Sequence, residues 1–330
     1  MTSDTPLVSI LIRSMDRPTL PHALDTVAAQ TWPNLEIVVV AACGARHRPL
    51  PDTWKGRPLR LVFPEPDRML PRPDAANLAL DSARGEWLNF LDDDDEFLPN
   101  HVEALVRATG SAAQRVRYSR AEVRDEHGNL MGHTGSHGFH AQLYFQARSA
   151  CAATMYHRSL IEEGARFDPA FEKMEDRDFM VNCATRTAFG FVAETTCIWN
   201  AQIGESGMGH GQNDDASVRE QYLPMLHGKW ASAFEAWLAQ PQALIFLGKH
   251  YLQEGQPEQA VDYLEDALKR LPDDINALNL CGMAHFRADN LQRAEELIAR
   301  AVALFPQRRE LQENLGLIRT QRALANRKTT

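Results

Sequence analysis

The C-terminal third of the chain repeats itself at an interval of 34 residues, and this repetition constrains the fold more than any other feature. Glycines recur at this interval at Gly248, Gly282 and Gly316. Small residues at fixed positions let paired helices approach closely, and proline ends a helix. The repetition therefore predicts a stack of helix pairs over residues 231–330. The other residues in the same register are Leu244 and Leu278, Ala260 and Ala294, Ala267 and Ala301, and Pro272 and Pro306.

These positions resemble the tetratricopeptide repeat, with Leu244 where tryptophan is usual. The resemblance implies two repeats followed by a capping helix from about Arg309 to Asn326. It also implies a surface that binds a protein partner or forms a homodimer, or else a buttress for the rest of the chain. The residues that carry the resemblance are Leu247, Gly248, Tyr251, Ala260, Leu264, Ala267 and Pro272.

The first hundred residues alternate between the patterns of strands and helices. A helix is expected after Thr19, which can cap it, and another over Ala75–Ala83. Short apolar strands separated by helices predict an α/β domain with a mostly parallel sheet, which we assign to residues 1–230. The expected strands are Val8–Ile12, Glu36–Val40, Leu59–Phe63 and Glu86–Leu91.

The carboxyl ends of parallel strands meet at one edge of a sheet, where α/β proteins bind ligands. The segments that follow the first, second and fourth strands are Arg13–Arg17, Ala41–Gly44 and Asp92–Asp95. We therefore expect these three segments to converge on one crevice. Further along the chain, two short strands are expected at Val116–Ser119 and Ala121–Arg124.

Composition argues against several classes of function. A formal charge of −9 disfavours nucleic acid and anionic membranes as partners, since both select for basic surfaces. No apolar run reaches the roughly 18 residues that span a bilayer, and five cysteines without C-x-x-C spacing fit reduced thiols. These features predict a cytoplasmic protein without a transmembrane segment, and they leave peripheral contact with the inner membrane face open.

Two acidic clusters carry the chemistry. Repulsion within Asp92–Asp95 raises the pKa of some carboxyl groups unless a cation lies among them. If the backbone stays extended, Asp92 and Asp94 point to one side, where they can bind Mn²⁺ or Mg²⁺. The alternative is a solvated acidic loop. The second cluster, Glu175–Asp178, is either an ordinary helix N-terminus or the source of a general base.

Together these segments resemble glycosyltransferase family 2, a family with the GT-A fold. The resemblance covers roughly residues 6–200. It implies an inverting transfer of a sugar from a nucleoside-diphosphate sugar to an acceptor hydroxyl on a glycan, a lipid-linked molecule or a protein, with Mn²⁺ or Mg²⁺ at the diphosphate. The motifs that carry it are Val8–Pro18, Arg72 with Ala75–Asn77, Gly85–Asp95, and Gly164–Asp168 followed by Glu175 and Asp176.

The resemblance also implies roles for individual residues. Asp176 is expected to be the general base, with Glu175 beside it as the second catalytic candidate. Asp94 is expected to ligate the cation, and Asp92 and His210 are the other candidate ligands. The residues expected at the nucleotide are Arg13, Ser14, Asp16, Arg72, Asn77, Asp92 and Asp93.

The chain departs from the family pattern in one respect. Family members usually carry an acidic turn after the second strand that reads the base, whereas Ala41–Gly44 contains no carboxylate. Uracil, thymine and guanine donors therefore stay open, with Asp16 as a substitute contact. Three histidines, His133, His137 and His140, are interpreted as surface or acceptor-site residues rather than as a zinc site.

Two other functions were weighed against sugar transfer. A catalytically degenerate domain would serve, with the repeats, as a scaffold; the missing acidic turn favours it, whereas Asp92, Asp94 and Asp176 disfavour it. Another aspartate-rich α/β enzyme, such as a nucleotidyltransferase or phosphatase, is the third possibility. A phosphatase needs a D-x-D pattern after its first strand, and Asp16 stands alone there.

Overall fold

The computed structural model describes residues 5–108, 114–136, 150–202 and 216–328. The chain divides into two compact units, Met1–Trp230 and Ala231–Thr330. Within the described residues, no helix combines the length and the apolar character needed to cross a membrane. His137, His140 and His210 lie outside the described residues.

The N-terminal unit contains a mixed sheet with helices on both faces. Its strands are β1 (Val8–Ser14), β2 (Leu35–Ala41), β3 (Thr53–Trp54), β4 (Arg57–Val62), β5 (Trp87–Asp92), β6 (Glu96–Phe97), β7 (Val116–Arg124), β8 (Leu130–Thr134), β9 (Thr154–His157) and β10 (Phe189–Asn200). Its helices are α1 (Leu20–Ala28), α2 (Arg72–Ser82), α3 (His101–Val106), α4 (Arg158–Glu162), α5 (Glu175–Ala184) and α6 (Ala216–Lys229).

The strands run in the order β3-β4-β2-β1-β5-β9-β7-β10-β6, with β8 paired to β7. The neighbours β4, β2, β1 and β5 are parallel, as the alternation of strands and helices predicts. Antiparallel β9 lies between β5 and β7, so the sheet as a whole is mixed. The parallel part therefore brings the carboxyl ends of β1, β2 and β5 to one edge.

Two local expectations differ from the structure. The expected pair of strands after residue 115 is one continuous strand, β7, because Arg120, between the two expected strands, also pairs with β10 and Ser119 is buried. Helix α1 begins at Leu20, but the Thr19 side chain makes no capping hydrogen bond within the described residues. Thr19 already has helical backbone angles and Pro21 follows in the first turn, so the entry of the helix is set by the backbone.

The core fills both faces of the parallel strands. On one face Ile10 and Ile12 of β1 pack with Leu24 of α1. On the other face Leu11 packs with Ala76 of α2 and Phe179 of α5. Successive residues of β1 thus point to opposite faces and are fully buried on both. A buried strand of this kind fixes the position of whatever follows it, and Arg13 and Ser14 are its last residues.

The C-terminal unit consists of helices α7 (Ala231–Leu238), α8 (Pro241–Gln253), α9 (Pro257–Arg270), α10 (Ile275–Arg287), α11 (Leu291–Leu304) and α12 (Arg309–Lys328). Two of the three repeated glycines lie where paired helices approach closely. A Cβ atom on Gly248 would overlap the side chain of Leu264, and one on Gly282 would lie 2.6 Å from Ile298. At Gly316, in α12, the described residues leave open space within 4 Å. The first two glycines are therefore packing requirements, and the third is not.

Replacing Gly248 with alanine is expected to lower the free energy of unfolding by about 1–3 kcal/mol, the usual cost of overpacking an interior. Gly316→Ala is the matched control. There the higher helix propensity of alanine should raise stability by up to about 1 kcal/mol. Urea denaturation of both variants measures the difference. Equal effects at the two sites would contradict the close approach of α8 and α9.

Candidate active site

Arg13 lies at the centre of the edge where the parallel strands end. Its guanidinium is buried and donates to Oδ1 of Asp92 at 2.7 Å and to Oε1 of Glu175 at 2.8 Å. Arg13 and Asp92 are register partners on β1 and β5, whereas Glu175 is the first residue of α5. Arg13 therefore joins the end of the first strand, the acidic run and the second acidic cluster.

The backbone does not stay extended through the four aspartates. The amide of Asp95 donates to the carbonyl of Asp92, which closes a turn directly after β5. Arg17 then donates to Asp93 at 3.0 Å and to Asp94 at 2.9 Å, and the Asp95 carboxylate accepts from the amide of Asn200 at 2.9 Å. The extended backbone therefore ends at Asp92, although repulsion from the Asp92 carboxylate still acts on Asp94.

The surroundings shift the pKa values of these carboxyl groups in opposite directions. Burial favours the neutral acid at Asp92, but the guanidiniums of Arg13 and Arg72 outweigh it and lower the pKa. Burial raises the pKa of Asp94 to about 6, with repulsion from Asp92 adding to it and Arg17 opposing it. Burial and repulsion from Asp94 and Asp92 raise the pKa of Asp95 well above its ordinary value. The turn thus holds more negative charge than its arginines neutralise.

The second acidic cluster supplies two carboxylates with different surroundings. Glu175 is 2% exposed and is held by Arg13, with Arg72 at 3.6 Å. Asp176 is half-buried, and its Oδ1 accepts from the amide of Arg177 at 2.8 Å. Burial, followed by repulsion from Glu175, raises the pKa of Asp176 to about 6, against the attraction of Arg13 and Arg72. Asp176 is therefore a carboxylate that exchanges a proton close to neutral pH.

A cleft of about 400 Å³ opens beside these groups. Arg13, Arg72 and Asp92 line it, as the sequence leads us to expect. Arg72 stands at its wall because α2 begins at that residue, three residues earlier than its apolar pattern indicates. The remaining lining residues are Met15, Arg17, Ala42, Leu70, Ala75 and Asp93.

Three residues expected at the nucleotide are absent from the lining of the cleft, and the protein binds their side chains. The hydroxyl of Ser14 contacts Nε2 of His47 at 2.9 Å and accepts from the amide of Asp16. Asp16 has a positive φ of 60° and accepts from Nε of Arg48 at 2.9 Å.

The third is Asn77, whose amide group donates to the carbonyl of Phe167 and accepts from its N–H. The described structure therefore gives Ser14, Asp16 and Asn77 contacts that order the loops around the cleft.

Arg17 is the residue that sequence reasoning did not single out. Arg17 ends the segment Arg13–Arg17, and the family resemblance implies no role for it. Its position four residues after Arg13 in a loop that faces an acidic run is the signal that identifies it. Asp92–Asp95 form the turn after β5, which we call the acidic turn. Since Arg17 contacts both Asp93 and Asp94, it is the main protein cation there.

Whether the acidic turn fits a divalent cation depends on its donor chemistry. Mg²⁺ and Mn²⁺ take oxygen ligands, and Mg²⁺ at phosphates is held by one or two carboxylates plus the substrate. Asp94, with its raised pKa, is a carboxylate of this kind. Among the described residues, the only close group of three potential ligands is Glu265, Cys281 and His285 in the C-terminal unit.

That group forms an ion-pair network around Glu265. Both oxygens of Glu265 accept from Arg293, at 2.9 and 3.1 Å, and one also contacts His285. Burial raises the pKa of Cys281 to about 12, so its sulfur stays protonated. The acidic turn is thus the better match for a hard cation. His133 is exposed on β8, which agrees with its interpretation as a surface residue.

Comparison with known proteins assigns both parts of the chain. Residues 9–164 match the model of glycosyl transferase family 2, and residues 247–309 match a tetratricopeptide repeat model. An uncharacterized glycosyltransferase of Methanocaldococcus jannaschii is 22% identical over 189 residues, which are 54% of this chain and 65% of the relative. YwdF of Bacillus subtilis, also named an uncharacterized glycosyltransferase, is 25% identical over 234 residues, 67% of this chain and 83% of the relative.

A relative from Haemophilus influenzae aligns over only 34% of its own length, at 28% identity over 31% of this chain. Among solved structures, S. aureus TarS 1–349 superposes with a TM-score of 0.52 at 13% identity, covering 90% of this chain and 88% of that one. The likeness to TarS concerns the fold.

Residues 9–164 are therefore similar to glycosyl transferase family 2, and residues 247–309 are similar to tetratricopeptide repeats. Both resemblances drawn from the sequence are confirmed, and the curated relatives that match are named glycosyltransferases. The mixed α/β sheet followed by a helical unit agrees with the expected fold class.

The pKa shifts in the acidic turn predict changes in thermal stability of opposite sign at Asp95 and Asp92. The pKa of Asp95 is raised on folding, so its ionisation costs stability above the ordinary aspartate pKa of about 4. Asp95→Asn keeps an acceptor for Asn200 and should raise the Tm at pH 7. The pKa of Asp92 is lowered, so its charge stabilises the fold at pH 7, and Asp92→Asn should lower the Tm.

Thermal unfolding from pH 4 to pH 7 in EDTA tests both variants. The Asp95→Asn difference should shrink as the pH falls toward about 4, whereas the Asp92→Asn difference should largely persist over this range, because the pKa of Asp92 lies below its ordinary value. Shifts of the same sign at pH 7 would contradict the opposite electrostatic surroundings of the two residues.

Proposed function

We propose that the chain is an inverting, metal-dependent glycosyltransferase that uses a nucleoside-diphosphate sugar. The observation that carries the proposal is the convergence at one cleft of Arg13 and Arg72, the acidic turn and the start of α5. Cations of this kind bind phosphates, and a carboxylate with a pKa of about 6, such as Asp176, accepts a proton at neutral pH.

Arg13 and Arg72 supply the positive potential for the donor diphosphate. Arg72 is the more exposed of the two and stands at the cleft wall, so its guanidinium is free to turn toward phosphate oxygens. A divalent cation, Mn²⁺ or Mg²⁺, held by Asp94 with Asp92 as the second candidate ligand, neutralises charge on the departing nucleoside diphosphate when it is bound. Arg17 and Asp93 hold the turn that carries these ligands.

Asp176 is the general base. Its carboxylate takes the proton of the acceptor hydroxyl while the oxygen attacks the anomeric carbon and the bond to the diphosphate breaks. A single displacement of this kind inverts the configuration of the sugar. The half-buried position of Asp176 gives it a raised pKa and access to an acceptor at once.

The acceptor is a hydroxyl of a glycan, a lipid-linked molecule or a protein. The repeats support a protein partner, since arrays of this kind offer extended surfaces for binding. The alternative is a degenerate domain that acts as a scaffold. Three of the residues expected at the nucleotide do not line the cleft and are bonded to the protein, which favours the scaffold, whereas the charged cleft favours the enzyme.

Thermal unfolding with nucleotides distinguishes these functions. One of UDP, dTDP and GDP is expected to stabilise the protein in the presence of Mn²⁺ and less in EDTA, by about 2.7 kcal/mol at a concentration 100 times Kd. Asp94→Ala should abolish the Mn²⁺-dependent part. Asp95→Asn is the matched control and should keep it. Lack of stabilisation by every nucleotide would favour the scaffold.

Asp176→Asn should leave nucleotide binding intact and lower the transfer rate by about 100-fold to 10,000-fold, the range of general-base catalysis. In the wild type, kcat/KM should rise as the pH increases through about 6, because Asp176 accepts a proton only when ionised. Hydrolysis of a panel of nucleotide sugars provides the assay before the acceptor is known. An active Asp176→Asn variant would exclude this residue as the base.

A further inference from the structure

Glu175 and Asp176 are adjacent in the chain, but the protein holds them differently. Glu175 is 2% exposed, and its Oε1 is 2.8 Å from Nη1 of Arg13 and 3.6 Å from Nη1 of Arg72. Asp176 is half-buried, and the amide of Arg177 donates to it. Glu175 is thus fixed by ion pairs with two arginines, whereas Asp176 keeps part of its surface exposed.

The backbone in front of Glu175 is strained. Met174 has a φ of 57°, a left-handed backbone conformation that residues other than glycine rarely adopt. Met174 occupies the N-cap position of α5, and its side chain makes no capping bond there. Conformations of this kind persist where the surroundings enforce them. The nearest such constraint is the buried ion pair between Glu175, one residue later, and Arg13 on β1.

We propose that Glu175 is a positioning residue, whose ion pair with Arg13 holds the first turn of α5 so that Asp176 stands beside the cleft residues Arg13 and Arg72. Glu175 acts through Asp176 and does not itself accept the proton. The inference rests on the proposed function, in which Asp176 is the base. It also explains why Arg13 is buried, since a guanidinium that links β1, β5 and α5 has to lie between them.

Two substitutions at one position separate positioning from proton transfer. Glu175→Gln keeps an oxygen that accepts from Arg13 but removes the group that takes a proton. Glu175→Ala removes both. We expect the glutamine variant to keep kcat within about tenfold of the wild type. The alanine variant should lose about 100-fold in kcat, the cost of a misplaced catalytic group, with a smaller change in the KM for the donor.

Asp176→Asn is the reference for the loss of the base. A glutamine variant as inactive as Asp176→Asn would overturn the proposal, because it would make Glu175 a proton acceptor. This outcome can be measured even where Glu175→Ala fails to fold. The acid limb of kcat/KM provides a second readout: it should persist in Glu175→Gln and vanish if Glu175 is the base.

Hydrogen exchange tests the tether without any activity. Amides in the first turn of α5 should exchange faster in Glu175→Ala than in the wild type, and at near wild-type rates in Glu175→Gln. Unchanged exchange in the alanine variant would overturn the proposal. A wild type that hydrolyses no nucleotide sugar would instead overturn the proposed function, so the two failures are distinguishable.

Discussion

The buried guanidinium of Arg13 joins three parts of the N-terminal unit that are far apart in the sequence. It ends β1, it is paired with Asp92 at the end of β5, and it is bonded to Glu175 at the start of α5. A buried charge is tolerated only when its partners repay the loss of water. Two carboxylates do so here, and their attraction raises the pKa of Arg13 against the effect of burial. Loss of either partner would leave a charge uncompensated, so the geometry of the cleft depends on all three residues.

The acidic turn is balanced by a second cation. Arg17 spans Asp93 and Asp94, and the amide of Met15 also donates to Asp93 at 3.1 Å. One guanidinium cannot neutralise two carboxylates with a third beside them, and burial together with the remaining repulsion raises the pKa of Asp94. A ligand that brings positive charge to this turn would therefore bind with a favourable electrostatic term. Arg13, at the end of β1, thus links the strands to α5, whereas Arg17, after β1, balances the negative charge of the turn.

The sequence predicted the elements whose signals are local. The buried strands and the run of aspartates after β5 are visible in short stretches of sequence, and the helix pairs are visible in the 34-residue period. The carboxyl ends of parallel strands meet at one edge of a sheet, which predicts the position of the cleft. Contacts that depend on distant residues were not predictable in this way. Ser14 bonds to His47, Asn77 to Phe167 and Asp16 to Arg48. Family motifs assign such residues to the ligand, whereas the fold decides whether their side chains are already satisfied.

The repeat unit shows the same limit for packing. Gly248, Gly282 and Gly316 are equivalent in the sequence, yet a side chain of the next helix lies against only the first two in the described part of the chain. A glycine at a repeated position therefore does not by itself show close packing. It is required for packing only where a side chain of the next helix lies against it. The same reasoning applies to the cleft. Burial by the groups packed around Asp176, with repulsion from Glu175, raises the pKa of Asp176 against the attraction of Arg13 and Arg72, and the acidic motif alone does not predict this balance.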